Sequence, residues 1–152
     1  MITVNLVCVG NLKEKFWIEA SKEYEKRLSK FCKVKIIELA EQNKYDNIEK
    51  IKEFEGQDIL NHLEGRTFLL DIGGKQYSSE EFAQEIEKTS ISSSSITFVI
   101  GGSYGVSDRV KGAIKDKISF GRATYPHNLA RIILLEQIYR AFMINGGGKY
   151  HK

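Results

Sequence analysis

The sequence predicts an α/β fold: a mostly parallel sheet of five or six strands with helices on both faces. Three observations predict it. Apolar residues switch repeatedly along the chain between short continuous or alternating runs and a spacing of about 3.6, the pattern of strands alternating with helices. Three of the strand-like runs are unbroken aliphatic stretches, as expected of parallel strands covered on both faces. Glycines gather just after three of the runs, where an open parallel sheet has its ligand crevice.

Taken in order, the first strand is Ile2 to Val9. Trp17, Ala20, Tyr24, Leu28 and Phe31 then recur at helical spacing and predict a crossover helix before a second strand from Lys33 to Leu39. Ile48, Ile51, Phe54 and Leu63 repeat more loosely and predict another. The third strand, Thr67 to Ile72, runs into the loop Asp71-Ile72-Gly73-Gly74-Lys75. Ser78 and Glu81 have capping-box spacing and open a helix through Phe82 and Ile86. After the polar turn Ser92 to Ser95 comes a strand from Ser95 to Ile100, then Gly101-Gly102-Ser103-Tyr104-Gly105, then a short strand from Ile118 to Phe120 ending at Gly121-Arg122. The longest of about five expected helices runs from about Pro126 to Asn145, with proline suited to a first turn and Gly146-Gly147-Gly148 as the stop. No linker, repeat or composition break divides residues 1–152, which predicts a single domain.

The composition, 152 residues with 41% hydrophobic and 28% charged, is that of an ordinary globular chain and excludes a disordered tail. A chain this long buries roughly 68–70% of the surface its unfolded form exposes, so it needs no disulfide staple or structural metal. Cys8 and Cys32 sit in separate apolar runs and read as buried thiols of a reducing compartment. The opening MITVNLVCVG has no basic leader and no long apolar run, which predicts a cytoplasmic protein without a membrane span. Net charge is +3, unevenly spread: Lys117 to Lys152 carries +5 and the remaining residues −2. Such a basic segment is the electrostatic footprint of a protein that meets polyanions such as RNA, and equally of a solvated helix face.

Known nucleotide motifs fit poorly. Gly101 to Gly105 is not G-x-G-x-x-G and follows the fourth strand, and Gly74-Lys75 is followed by Gln76 where a phosphate loop needs a hydroxyl. His62, His127 and His151 are scattered without metal-ligand spacing, so no metal is expected. No serine elbow supports a hydrolase triad. What remains is three glycine loops at strand ends, able to approach a ligand with backbone N–H and C=O groups. Beside them stands the polar constellation Thr124-Tyr125-Pro126-His127-Asn128-Leu129-Ala130-Arg131, Leu135-Glu136-Gln137-Ile138-Tyr139-Arg140-Ala141 and Lys149-Tyr150-His151-Lys152. His127 and Arg131 share a helix face, as do Glu136 and Arg140, which could equally form a solvent-facing ion pair.

These residues carry a resemblance. Phe98-Val99-Ile100-Gly101-Gly102-Ser103-Tyr104-Gly105, Thr124-Tyr125-Pro126-His127, Leu135 to Ala141 and Tyr150-His151-Lys152 resemble the SPOUT-class bacterial ribosomal RNA large-subunit methyltransferases that methylate N3 of a pseudouridine in 23S rRNA. The likeness spans the whole chain, including Gly10, the Glu55-Gly56 pair and the Leu70 to Lys75 loop; Gly121 and Gly146-Gly147-Gly148 depart from it. It implies a C-terminal trefoil knot, a homodimer, S-adenosyl-L-methionine as cofactor and 23S rRNA of the large ribosomal subunit as partner. It implies a cofactor site at Leu70, Gly101, Gly102, Phe120, Gly121, Arg122, Ala123, Thr124 and Tyr125, within the three loops found independently.

Methyl transfer from a sulfonium is an in-line displacement with a neutral leaving group, so positioning matters most on the donor side. The acceptor differs: N3 of the base is a weakly acidic imide that must lose or share its proton. His127 or His151 is the first candidate for the proton acceptor; Arg131 or Arg140 could instead stabilise the anion electrostatically. Ile132, Leu135, Tyr139 and Phe142 would supply an apolar dimer face. A non-catalytic RNA-binding, ribosome-associated module is the alternative, separated from the enzyme by cofactor binding.

Overall fold

The computed structural model describes residues 1–150. Its elements run β1 (Thr3–Val9), α1 (Lys15–Leu28), β2 (Lys33–Leu39), α2 (Ile48–Leu60), β3 (Arg66–Gln76), α3 (Ser79–Ser92), β4 (Ser95–Ile100), α4 (Asp108–Ala113), β5 (Asp116–Ser119) and α5 (His127–Asn145). The five strands form one sheet of order β2-β1-β4-β3-β5, and every ladder within it is parallel.

The unbroken aliphatic runs are buried on both faces because each face has its own helical layer. Alternate residues of a strand point to opposite sides. Leu6, Phe68 and Phe98 therefore face Leu134, Leu135 and Ile138 of α5, while Val7, Leu69 and Val99 face Ile59 of α2 and Val110 of α4. Helices α1 and α3 pack against α5 on the first face; α2 and α4 pack together on the second. Phe98 is fully buried, stacked 5.4 Å from Phe68 and meeting Phe82 edge-on at 6.0 Å.

Local signals place several boundaries. Ser78 Oγ accepts from Glu81 N at 3.1 Å while Ser78 N donates to Glu81 Oε2 at 2.9 Å, so the expected capping box starts α3. Asn47 Oδ1 accepts from Glu49 N at 2.8 Å at the start of α2. Pro126 is the N-cap of α5, and Gly147, at φ +70, turns the chain out of it.

Four boundaries differ from the sequence reading. The six-residue α4 was not located, since it is too short to show a helical period. Phe31 lies beyond α1, which ends at Leu28. Strand β5 begins at Asp116 and ends at Ser119, because pairing with β3 rather than hydrophobicity defines it. The largest change concerns Asp71 to Lys75, which is not a loop after β3 but an excursion inside it. Leu70 and Lys75 both pair with Ile118, and residues 71–74 are looped out between them. Gly74 is required there: a Cβ would lie 2.7 Å from Lys117 C and 2.8 Å from Ile118 N.

At the start of β3, Arg66 ties three elements together. Its Nε donates to Asp116 Oδ2 at 3.1 Å, and its Nη1 to Glu85 Oε2 at 2.7 Å and Thr89 Oγ1 at 3.1 Å. The hydrogen bond from Arg66 holds the Glu85 carboxyl below its usual range.

Two outcomes are expected from this packing. Phe98→Ala, leaving a cavity between two other rings, lowers unfolding free energy in urea by about 3–5 kcal/mol. Glu85, with its folded-state pKa depressed, contributes stability that is present above the unfolded value of 4.5 and lost as pH falls through the folded value. Glu85→Gln therefore flattens the acid side of a plot of urea midpoint against pH, between roughly pH 5 and 3.

Candidate active site

The carboxyl ends of β3, β4 and β5 are neighbours in the sheet, and a cavity of about 350 Å³ lies among the segments that follow them. Leu70, Asp71 and Ile72 line it from β3, Gly101, Gly102, Tyr104, Gly105 and Val106 from the segment after β4, and Phe120, Gly121, Ala123, Thr124 and Tyr125 from the segment after β5. His127 and Ala130 of α5, Lys52 of α2 and Lys111 of α4 complete the wall. Eight of the nine positions expected to hold a cofactor therefore face one cavity; the ninth, Arg122, is exposed and outside its lining.

Backbone geometry shapes this wall. Gly105 and Gly121 sit at φ +79 and +115, conformations that L side chains rarely adopt. A Cβ on Gly101 would come within 2.7 Å of Val106 Cγ1, and one on Gly102 within 3.0 Å of both Glu55 Oε1 and Val9 Cγ1. Ser119 clamps the turn after β5, accepting from Gly121 N at 3.1 Å and donating to Gly121 O at 3.0 Å. Sequence reasoning met Glu55 only as part of the family resemblance, and overlooked Ser119, Lys52 and Lys111. Their only signal was adjacency to the glycine loops, and for α2 and α4 not even that.

Glu55 is a buried acid behind this wall. Its Oε2 accepts from Gln42 N at 2.9 Å, while Oε1 has no hydrogen-bond partner among the described residues. Burial pushes its carboxyl above the usual range, the Gln42 amide opposes that, and Glu41 adds to it.

The structure separates the four residues expected to act in catalysis. His127, the first residue of α5, lies on the cavity. Arg131 does not: it is buried, with Nη1 2.8 Å from Glu38 Oε2 and Nη2 3.2 Å from Gly10 O. Its guanidinium anchors α5 to the ends of β1 and β2, and the expectation that it stabilises a substrate anion is corrected accordingly. The same group counters the burial that pushes the Cys8 thiol up to about 11. Arg140 lies nine residues beyond Arg131, about 14 Å along the helix. Its Nε donates to Glu136 Oε1 at 3.1 Å, and its guanidinium lies 4.6 Å from the Tyr150 ring centre. Tyr150 donates its hydroxyl to the same carboxylate, 3.1 and 3.0 Å from its two oxygens, and packs edge-on against Tyr139 at 5.1 Å. Burial and the Glu136 carboxylate push the Tyr24 hydroxyl up to about 12, so it too stays a neutral donor. His151 lies outside the described residues. Of the expected apolar dimer face, Leu135 is committed to the protein's own core, while Ile132, Tyr139 and Phe142 are partly buried against it.

A family model described as "Predicted SPOUT methyltransferase" matches residues 2–151. The chain belongs to the SPOUT methyltransferase family. It is 49% identical over 159 residues to the ribosomal RNA large subunit methyltransferase H of Lactobacillus acidophilus, covering 99% of this chain and 100% of that one. It is 48% identical over 157 residues to the protein of that name from Enterococcus faecalis, covering 98% and 99%. A solved structure from Legionella pneumophila, in complex with bound SAM, is similar over 93% of this chain and 66% of that chain, at 13% identity and a TM-score of 0.49. In this SPOUT chain, no helix among the described residues is long and apolar enough to cross a membrane.

The anchoring role of Arg131 is testable by stability rather than activity alone. Arg131→Ala removes the guanidinium from Gly10 O and from Glu38, which keeps the Leu12 amide at 3.2 Å, and unfolding free energy in urea falls by about 1–3 kcal/mol. Because Glu38 is 40% exposed, the lost pair costs less than a fully buried one would.

Proposed function

We propose that this chain transfers the methyl group of S-adenosyl-L-methionine to N3 of a pseudouridine in 23S rRNA of the large ribosomal subunit. The observation that carries the reading is the convergence of three glycine-bearing segments on one cavity in a SPOUT chain whose full-length relatives are named as rRNA large-subunit methyltransferases. A cytoplasmic single domain, a homodimer and a threaded trefoil C-terminal half belong to the same reading.

The cavity suits the cofactor. Gly105 and Gly121 leave open space where a side chain would stand, and Leu70 and Phe120 offer apolar walls for an adenine ring. Leu70, Gly101, Gly102, Phe120, Gly121, Ala123, Thr124 and Tyr125 would hold it, with backbone N–H and C=O groups reading the adenine edge. Bound there, S-adenosylmethionine supplies a methyl group on a sulfonium, and its departure as a neutral thioether requires no acid. The chain's own contribution is to orient the acceptor, exclude water and take the N3 proton. His127 would take that proton, a reading supported by its position at the start of α5 on the cavity wall. Arg140 and Tyr150, organised by Glu136, form a separate cationic and aromatic surface for the RNA, able to hold a phosphate and stack on a base. His151, which lies outside the described residues, is proposed from the sequence as the alternative proton acceptor.

The deciding experiment supplies purified protein with methyl-labelled S-adenosylmethionine and assembled large ribosomal subunits, and maps the label by mass spectrometry of the digested RNA. Label is expected on one pseudouridine at N3. His127→Ala is expected to lower the single-turnover rate at saturating cofactor by about 10²-fold or more. Absence of cofactor binding by calorimetry favours the non-catalytic RNA-binding module instead; unchanged rates for His127→Ala, Arg140→Ala and His151→Ala remove the assignment of the proton acceptor.

A further inference from the structure

We infer that Lys52 and Lys111 together hold the α-carboxylate of the methyl donor's amino-acid end. The inference rests on the cofactor assignment made above and assigns a part of the ligand that the glycine segments leave without a partner.

The cavity has two unlike sides. The segments after β3, β4 and β5 present backbone and apolar groups, which suit a neutral adenosine. Lys52 and Lys111 come instead from α2 and α4, two helices packed together on the sheet face opposite α5. Among the described residues they are the only lysines of its lining.

Among the described residues neither ammonium has a close carboxylate partner: Lys111 has no ion pair and Lys52 only a long one. Lys52 has 20% of its side chain exposed, so its stem is covered while it reaches the cavity; its closest carboxylate is Glu49 Oε1 at 3.8 Å, on a side chain 81% exposed. A pair that long and that solvated contributes little. At Lys111 the backbone carbonyl already accepts from Lys117 Nζ at 2.9 Å, which brings a third ammonium close to the same turn of α4. The one acid of the lining, Asp71, accepts from Gly73 N at 3.1 Å within its own turn.

Two cations on a cavity wall, one of them only in a long, solvated ion pair, call for an anion. S-adenosylmethionine carries one anionic group, the carboxylate of its methionine moiety. The competing anion is an RNA phosphate. It is disfavoured because the cationic and aromatic surface assigned to the RNA, Arg140 with the Tyr150 ring against it, is carried by α5 on the other face of the sheet from α2 and α4.

Calorimetry with two probes separates the possibilities: S-adenosylhomocysteine, which carries the carboxylate, and 5′-methylthioadenosine, which has the adenosine and thioether without the amino-acid end. In Lys52→Ala/Lys111→Ala, affinity for S-adenosylhomocysteine is expected to fall about tenfold or more, with affinity for 5′-methylthioadenosine unchanged. Lys52→Arg/Lys111→Arg is expected to restore it, which separates a charge requirement from a folding defect. Equal losses for both probes overturn the inference, as does unchanged S-adenosylhomocysteine binding, including the case where only KM for ribosomal subunits rises and the lysines serve the RNA. If the unaltered protein binds neither probe, the cofactor assignment itself fails, and this inference with it.

Discussion

Everything at the site depends on how closely the β3 backbone approaches β5. Two residues of β3, Leu70 and Lys75, pair with the single residue Ile118, and the four residues between them are squeezed out of the ladder toward the cavity. Only glycine at position 74 permits that approach, because the backbone of Lys117 and Ile118 occupies the space of a Cβ. The excursion carries Asp71 and Ile72 to the cavity and keeps β5 short, so the chain turns at Ser119 and Gly121 directly beside it. A flat, unbroken pairing would deny the cavity one of its walls.

The second determinant is electrostatic and acts on α5. Arg131 spends its guanidinium on Glu38 and the Gly10 carbonyl, so the helix that starts at His127 is tied to the ends of the two strands farthest from β5. The first turn of α5 is thereby positioned against the cavity. A residue with the charge expected of a catalytic group serves as an anchor, while His127, four residues earlier, lies on the cavity wall. Farther along the same helix, Glu136 gathers Arg140, Tyr150 and Tyr24 around one carboxylate, which folds the C-terminal chain back onto α5 and α1. Two chemically distinct surfaces therefore share one helix: a cavity end, and an end with a cation and aromatic rings.

Glu55 shows how closely the central strands and the site are joined. It lies under Gly102 with one oxygen held by the Gln42 amide and the other without a partner among the described residues, in surroundings that disfavour its charge. A buried acid in this condition costs stability. Its place between α2 and the segment after β4 also makes that segment depend on the helix behind it, since a side chain at Gly102 would meet it.

The sequence by itself determined the alternation of strands and helices, the two-faced burial of Val4 to Val9 and Ile96 to Ile100, the capping box at Ser78 and the glycine stop after α5. Each of these is a local regularity, written in spacing or in a residue's own conformational range. It also marked the glycine segments as candidates and, through motif resemblance, the family. Tertiary structure alone decided that three segments far apart in sequence meet at one cavity, because strand order is set by long-range pairing that leaves no local periodicity. It likewise decided that Arg131 is an anchor and that Lys52 and Lys111 reach the cavity. The i, i+4 spacing of His127 and Arg131 put both on one helix face, but which neighbour each side chain meets follows from the elements packed around that face.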